Sequence, residues 1–216
     1  MEKYEMIVPV MWETHVDGYE YGYGGSGFYV KKKGIVFFVT AGHVVSGGVL
    51  DDLLIPANLE SRDFLPLSEY IKPIECKIGD EKYKDLAIFK VADDKLDCSI
   101  VFPKDIVKED VLESEDLYVF GYPNLNQKID YDVKNIKRFR KAYSAKYITK
   151  INDVRSRISV DFDDGESLDG VSGGVVFRKK DHCICGMMIE SSECGLSEYY
   201  DVRLIDLILE KITDSV

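Results

Sequence analysis

Three short segments of this 216-residue chain carry side chains whose types and spacing could perform nucleophilic acyl transfer. The first, Val39-Thr40-Ala41-Gly42-His43-Val44, sets a histidine at the end of an apolar run, with small neighbours that leave the ring accessible as a general base. The second, Asp85-Leu86-Ala87-Ile88-Phe89-Lys90-Val91, sets a carboxylate directly before an apolar strand. Such a carboxylate is poorly solvated, and an unpaired buried charge is costly, so a hydrogen-bond donor is expected beside it. An imidazole N–H would meet that need and hold the ring in one tautomer. The third, Gly170-Val171-Ser172-Gly173-Gly174, puts glycines on both sides of a serine. A tight turn there would present the hydroxyl and aim the N–H groups of Gly170 and Ser172 at one point. There they could bind an oxyanion, each commonly lowering the barrier by about 3–4 kcal/mol.

Taken singly, these segments mean little. A lone histidine is more often structural, an aspartate at a strand start is more often exposed, and glycine-rich turns often contain serine. Their order carries more information: histidine, aspartate and serine follow one another at intervals of 42 and 87 residues. The pentapeptide also fits the G-x-S-x-G elbow of α/β-hydrolases, but those place an acid and then a histidine after the serine. Here only His182 follows Ser172, and strands do not alternate with helices. His15 and His182 both lie in ordinary polar surroundings.

The elements that must position these residues read as short strands. Ile35-Val36-Phe37-Phe38-Val39-Thr40 is β-branched and aromatic, and Lys32-Lys33-Gly34 before it is turn-prone, so 27–40 is expected to form a hairpin. Further strands are expected at 6–12, 52–55, 72–78, 86–91, 117–121, 143–149, 157–162, 174–178, 184–190 and 199–203, divided by Gly, Pro, Asn and Asp clusters. Many short strands at this spacing indicate an all-β sandwich or barrel. From Asp201 onward Val202, Leu204, Ile205, Ile208, Leu209 and Ile212 recur at helical spacing, so 201–216 is expected to be an amphipathic helix. The polar, acidic stretch 104–116 reads as a connector between two small β-barrels, about 1–103 and 117–200, packed as one unit with the cleft at their seam.

Composition fits a folded globular protein, with 45% hydrophobic and 12% aromatic residues. The net charge of −11 argues against general nucleic-acid binding. The charge is uneven: 128–157 holds ten basic against three acidic residues, which leaves the remainder at −18. That block is expected to dock an acidic partner or substrate region, against the plainer reading of a solvated face. Cys76, Cys98, Cys183, Cys185 and Cys194 are odd in number and irregularly spaced, so they are expected as reduced thiols packed as small hydrophobes, with no metal site. No apolar run suits a membrane span, and the N-terminus lacks the layout of a secretory signal. A cytoplasmic location is expected.

Together with Gly25-Ser26-Gly27-Phe28 and Gly121-Tyr122-Pro123, the three segments resemble the trypsin-like peptidase family in its bacterial, intracellular branch, over about residues 6–212. The resemblance implies two six-stranded antiparallel barrels with a catalytic triad between them, and peptide-bond hydrolysis through an acyl-enzyme without metal or cofactor. Ser172 would be the nucleophile, His43 the base and then the acid, and Asp85 the orienter of His43. The residue six before the nucleophile, Glu166, would lie at the base of the pocket for the side chain before the scissile bond. Glu190 and Ser191 would line its wall. With Asp163, Asp164 and Asp169 adding negative charge nearby, cleavage after Arg or Lys is expected.

The departures from secreted members are informative. Val171 stands where they carry an aspartate that pairs with a new N-terminal ammonium, Val175 stands where a proline often follows the glycines, and the disulfides that bracket the His and Ser loops are missing. Activation by zymogen cleavage is therefore not expected. The resemblance implies instead a regulatory protein partner, as in bacterial stress or phage-defence systems. The competing reading, a catalytically silent member of the fold used for protein interaction, would be favoured by loss of a triad residue or a blocked oxyanion turn. The sequence shows neither.

Overall fold

The structure, a computed structural model, describes residues 4–59, 64–65, 67–71, 85–91, 96, 100–101, 103–124, 136–192 and 194–214, with backbone alone at 67–70, 103 and 138. The strand expected at 72–78, Cys76, Cys98, Lys128 and Lys134 lie outside the described residues.

The chain folds into β1 (Ile7–Glu13), β2 (Tyr21–Lys32), β3 (Ile35–Thr40), α1 (Gly42–Ser46), β4 (Leu53–Leu54), β5 (Leu67–Ile71) and β6 (Ala87–Val91). There follow β7 (Asp116–Gly121), β8 (Lys141–Lys150), β9 (Arg155–Val160), β10 (Val175–Arg178), β11 (Ile184–Ser191), β12 (Leu196–Asp201) and α2 (Val202–Asp214). The expected pair of six-stranded antiparallel units is present. The first is a half-barrel sheet in the order β4-β1-β2-β3-β6-β5, and the second a closed barrel, β10-β11-β12-β9-β8-β7.

Local chemistry accounts for the elements. The β2–β3 hairpin closes through Lys33 and Gly34, both at positive φ (48° and 85°), with Lys32 paired to Ile35. A two-residue turn with both φ values positive matches the right-handed twist of the strands it joins. Apolar and aromatic side chains of β2, β3 and β6, among them Phe28, Phe37, Phe38 and Ile88, pack into the first core. In α2, Val202, Ile205, Ile208 and Leu209 are buried at helical spacing, and the helix lies on β2, β11 and β12. Among the described residues no helix is long and apolar enough to cross a membrane.

Several elements differ from the sequence reading. The strand read at 199–203 runs Leu196–Asp201, because Val202 already faces the core as the first residue of α2. The strand read at 52–55 is reduced to Leu53–Leu54, and Leu67–Ile71 is a strand with no counterpart in the pattern read from sequence. The 104–116 stretch is partly packed rather than wholly solvated: Ile106 and Val107 are buried, and the Val107 N–H donates to Ile184 at 3.0 Å.

Candidate active site

β3 and β6 are neighbours, with Thr40 opposite Ala87, so two residues further on the antiparallel register brings the start of α1 beside position 85. His43 is therefore not the last residue of a strand but the second of a short helix, entered through the extended Ala41. The Asp85 carboxylate accepts two kinds of bond from His43. The main-chain N–H donates to Oδ1 at 2.7 Å, and the ring Nδ1 lies 3.0 and 2.9 Å from Oδ1 and Oδ2. A carboxylate offers only acceptors, so Nδ1 carries the hydrogen and Nε2 keeps its lone pair. The donor expected for Asp85 is thus the His43 ring together with its own amide. The hydrogen bond to Asp85 raises the His43 pKa above that of ordinary imidazole; partial burial opposes the rise, and the charges of Asp85 and Glu190 support it.

The serine turn is held from within and from the first sheet. Val171 N–H donates to Leu168 (3.0 Å), Gly173 N–H to Met188 (2.8 Å) and Gly174 N–H to Val171 (2.8 Å). The amides of Gly170 and Ser172 donate to none of the described residues, the pattern required of a pair that receives an oxyanion. Gly173, at φ 83°, passes so close to β2 that a β-carbon there would sit 1.8 Å from the Ser26 carbonyl oxygen. Only glycine fits that approach. The turn and α1 flank the same residue, since a β-carbon on Gly25 would meet both Val44 and the Ser172 carbonyl oxygen.

The candidates for specificity are separated. Glu166 is paired with Lys141 at the start of β8, in an open cleft shared with Tyr143 and Asp163, and that hydrogen bond holds its carboxyl below the usual carboxylate range. A cation thus already meets the charge expected at a pocket base. Glu190 instead stands exposed where the β11–β12 register shifts, between Met188 and Glu190, near enough to His43 for its charge to act on the ring. Ser191 next to it is half-buried. Among the described residues no group of three His, Cys, Asp or Glu side chains could hold a metal.

Sequence reasoning missed Ser26 and Asn124. Ser26 stands within the Gly25-Ser26-Gly27-Phe28 segment, and its hydroxyl and amide both bond the serine turn. Asn124 N–H holds the Asp169 carbonyl at 2.5 Å. The Gly-Ser-Gly run in a strand was the only available signal of a close approach there.

A half-barrel and a barrel, each six-stranded, with a bonded His–Asp pair beside the first sheet and a glycine-bounded serine turn leading into the barrel strand β10, define the chymotrypsin-like class of fold. The model of the trypsin-like peptidase domain matches residues 25–187, and the chain belongs to that family, the serine proteases of this fold. Its structure is similar to the inactive form of the Rv3671c protease, at 15% identity and TM-score 0.60 over 97% of this chain and 90% of that one. It is also similar to the serine endoprotease from Yersinia pestis, at 15% identity and TM-score 0.63 over 97% of this chain. This chain spans 63% of that protein. At such identities the likeness is one of fold. No curated protein sequence matches.

Proposed function

We propose that this protein is an endopeptidase that cleaves through an acyl-enzyme on Ser172. The observation that carries the reading is His43, locked by ring and main chain to Asp85 with Nε2 left as the proton acceptor. In the first step Nε2 takes the Ser172 proton as Oγ adds to the substrate carbonyl, and the amides of Gly170 and Ser172 receive the oxyanion. The imidazolium, stabilised by Asp85, then returns the proton to the leaving amine. Water adds to the acyl-enzyme by the same route, with His43 again the base, and releases the acid product.

A substrate protein with a basic side chain before the cut suits the carboxylate of Glu190 beside this centre better than Glu166, which Lys141 already pairs. We place the activity inside a bacterial cell, against a specific protein target and under the control of a protein partner in a stress or antiphage response. The support is the resemblance in sequence together with Val171, which leaves no carboxylate before the serine to bind a new N-terminus. Labelling by a fluorophosphonate tests the reading: wild type should be modified on Ser172, and Ser172→Ala should not. An unlabelled wild type, or equal labelling of the variant, would overturn it.

A further inference from the structure

We infer that Ser26 is a positioning residue for the oxyanion turn, its buried hydroxyl deciding which way the amides of that turn face; the inference rests on the peptidase reading above. Ser26 lies in the middle of β2 with no exposed surface. Every hydrogen-bonding group it has is engaged at the junction of sheet and barrel. Its Oγ donates to the Gly170 carbonyl at 2.8 Å and accepts the Tyr122 N–H at 2.8 Å. Its own N–H donates to the Ser172 carbonyl at 2.8 Å, and its carbonyl accepts the Thr40 hydroxyl at 2.6 Å.

A planar trans peptide points its C=O and N–H in opposite directions, so fixing a carbonyl fixes the next residue's amide. Asn124 N–H draws the Asp169 carbonyl to one side at 2.5 Å, which turns the Gly170 N–H to the other. The Ser26 hydroxyl holds the Gly170 carbonyl, which turns the Val171 N–H back onto Leu168. The alternation leaves the amides of Gly170 and Ser172 as the two not bonded to described residues. Gly170 sits at φ 85°, and glycine alone resists rotation least of all residues. The restraint therefore has to come from its neighbours. Without the Ser26 hydroxyl the Gly170 carbonyl and the Tyr122 N–H both lose a partner in a buried place, and the peptide next to the oxyanion donor is free to swing.

Ser26→Ala removes the hydroxyl without adding volume, and Ser26→Cys replaces it with a weak hydrogen-bonding group of similar shape. Each is measured for kcat and KM on one peptide, normalised to sites titrated by fluorophosphonate, and for inhibition by a peptide boronate that forms a tetrahedral anion on Ser172. Because complete loss of one oxyanion donor costs about 100–1000-fold in kcat, its misorientation should cost about 10–100-fold per titrated site. KM and the acid limb of the pH profile should stay as in wild type, while boronate affinity falls in parallel with kcat. A role in folding alone would reduce the number of titrated sites and leave kcat per site unchanged, which overturns the inference. So does boronate binding as tight as in wild type. Should Ser26→Ala fail to fold, Ser26→Cys supplies the same comparison. A wild type that is neither labelled nor active overturns the peptidase reading and this inference with it, whereas an active wild type with unaltered variants overturns only the role of Ser26.

Discussion

His43 donates twice to one carboxylate, and that carboxylate favours the charged ring over the neutral one. The base works only when neutral. Activity should therefore fall as pH drops through an inflection above the ordinary imidazole value of 6.5, since Asp85 raises the folded pKa. Asp85→Asn removes both the charge and the acceptor that selects the tautomer, so kcat should fall by about 10,000-fold and the inflection should move down. A pH profile of kcat/KM for wild type and variant checks both. Glu190 and Glu166 make a second contrast. Glu190→Gln should weaken preference for Arg or Lys before the cut and lower the inflection slightly, because its charge acts on His43. Glu166→Gln should leave that preference alone, since Lys141 already answers its charge. Profiling against a peptide library reads the difference, and the reverse outcome returns Glu166 to the base of the pocket.

Two elements are held against β2, the serine turn at its middle and α2 at its far end, and each depends on a contact that substitution would break. The serine turn reaches β2 only because Gly173 has no β-carbon. Gly173→Ala would combine a positive φ with a clash against main chain, which no side-chain rotation relieves. It should cost at least about 3 kcal/mol or abolish soluble expression, as thermal denaturation would show. At the far end of β2, Lys32 has a side chain only 10% exposed, and its Nζ lies 2.8 Å from Asp206 and 3.6 Å from Glu210 of α2. Burial works against its charge, but the two carboxylates outweigh that and raise its pKa. Asp206→Ala leaves the ammonium with one weaker partner. Because Asp206 is itself 25% exposed, the loss should be about 1–2 kcal/mol by urea denaturation, less than for a fully buried pair.

Across the whole molecule, sheet and barrel are joined by more than the serine turn. The N-terminal segment crosses to the barrel, where Tyr4 stacks on Phe120 with ring centroids 4.4 Å apart and its hydroxyl lies 2.8 Å from His182 Nδ1. Arg140 donates to the Tyr4 carbonyl at 2.7 Å, and Lys137 to Glu5 at 3.3 Å. Several described members of the basic block pair with carboxylates of this chain: Lys141 with Glu166, Lys146 with Asp116, and Arg155 and Arg157 with Glu198. Reversing Lys137, Arg140 and Lys141 to Glu should lower the melting temperature by several degrees, because it would break the crossing segment and the Glu166 pair together. An unchanged melting temperature would show that these pairs contribute nothing to stability.

The sequence by itself determined the β class, the hairpin at 27–40, the closing helix and the three segments on which the candidate chemistry rests. These are local matters: strand propensity, turn-forming Lys33-Gly34, helical spacing from Val202, and glycines on either side of Ser172. Only the tertiary structure decided how charges pair across long separations. That Glu166 meets Lys141, that Glu190 lies near His43, and that Asp85 binds the His43 amide as well as its ring depend on strand register. Ser26 makes the reason plainest. Its neighbours in sequence are two glycines, and three of its bonds run to Tyr122, Gly170 and Ser172, groups about 100 or more residues away that meet it only when the sheet closes against the barrel.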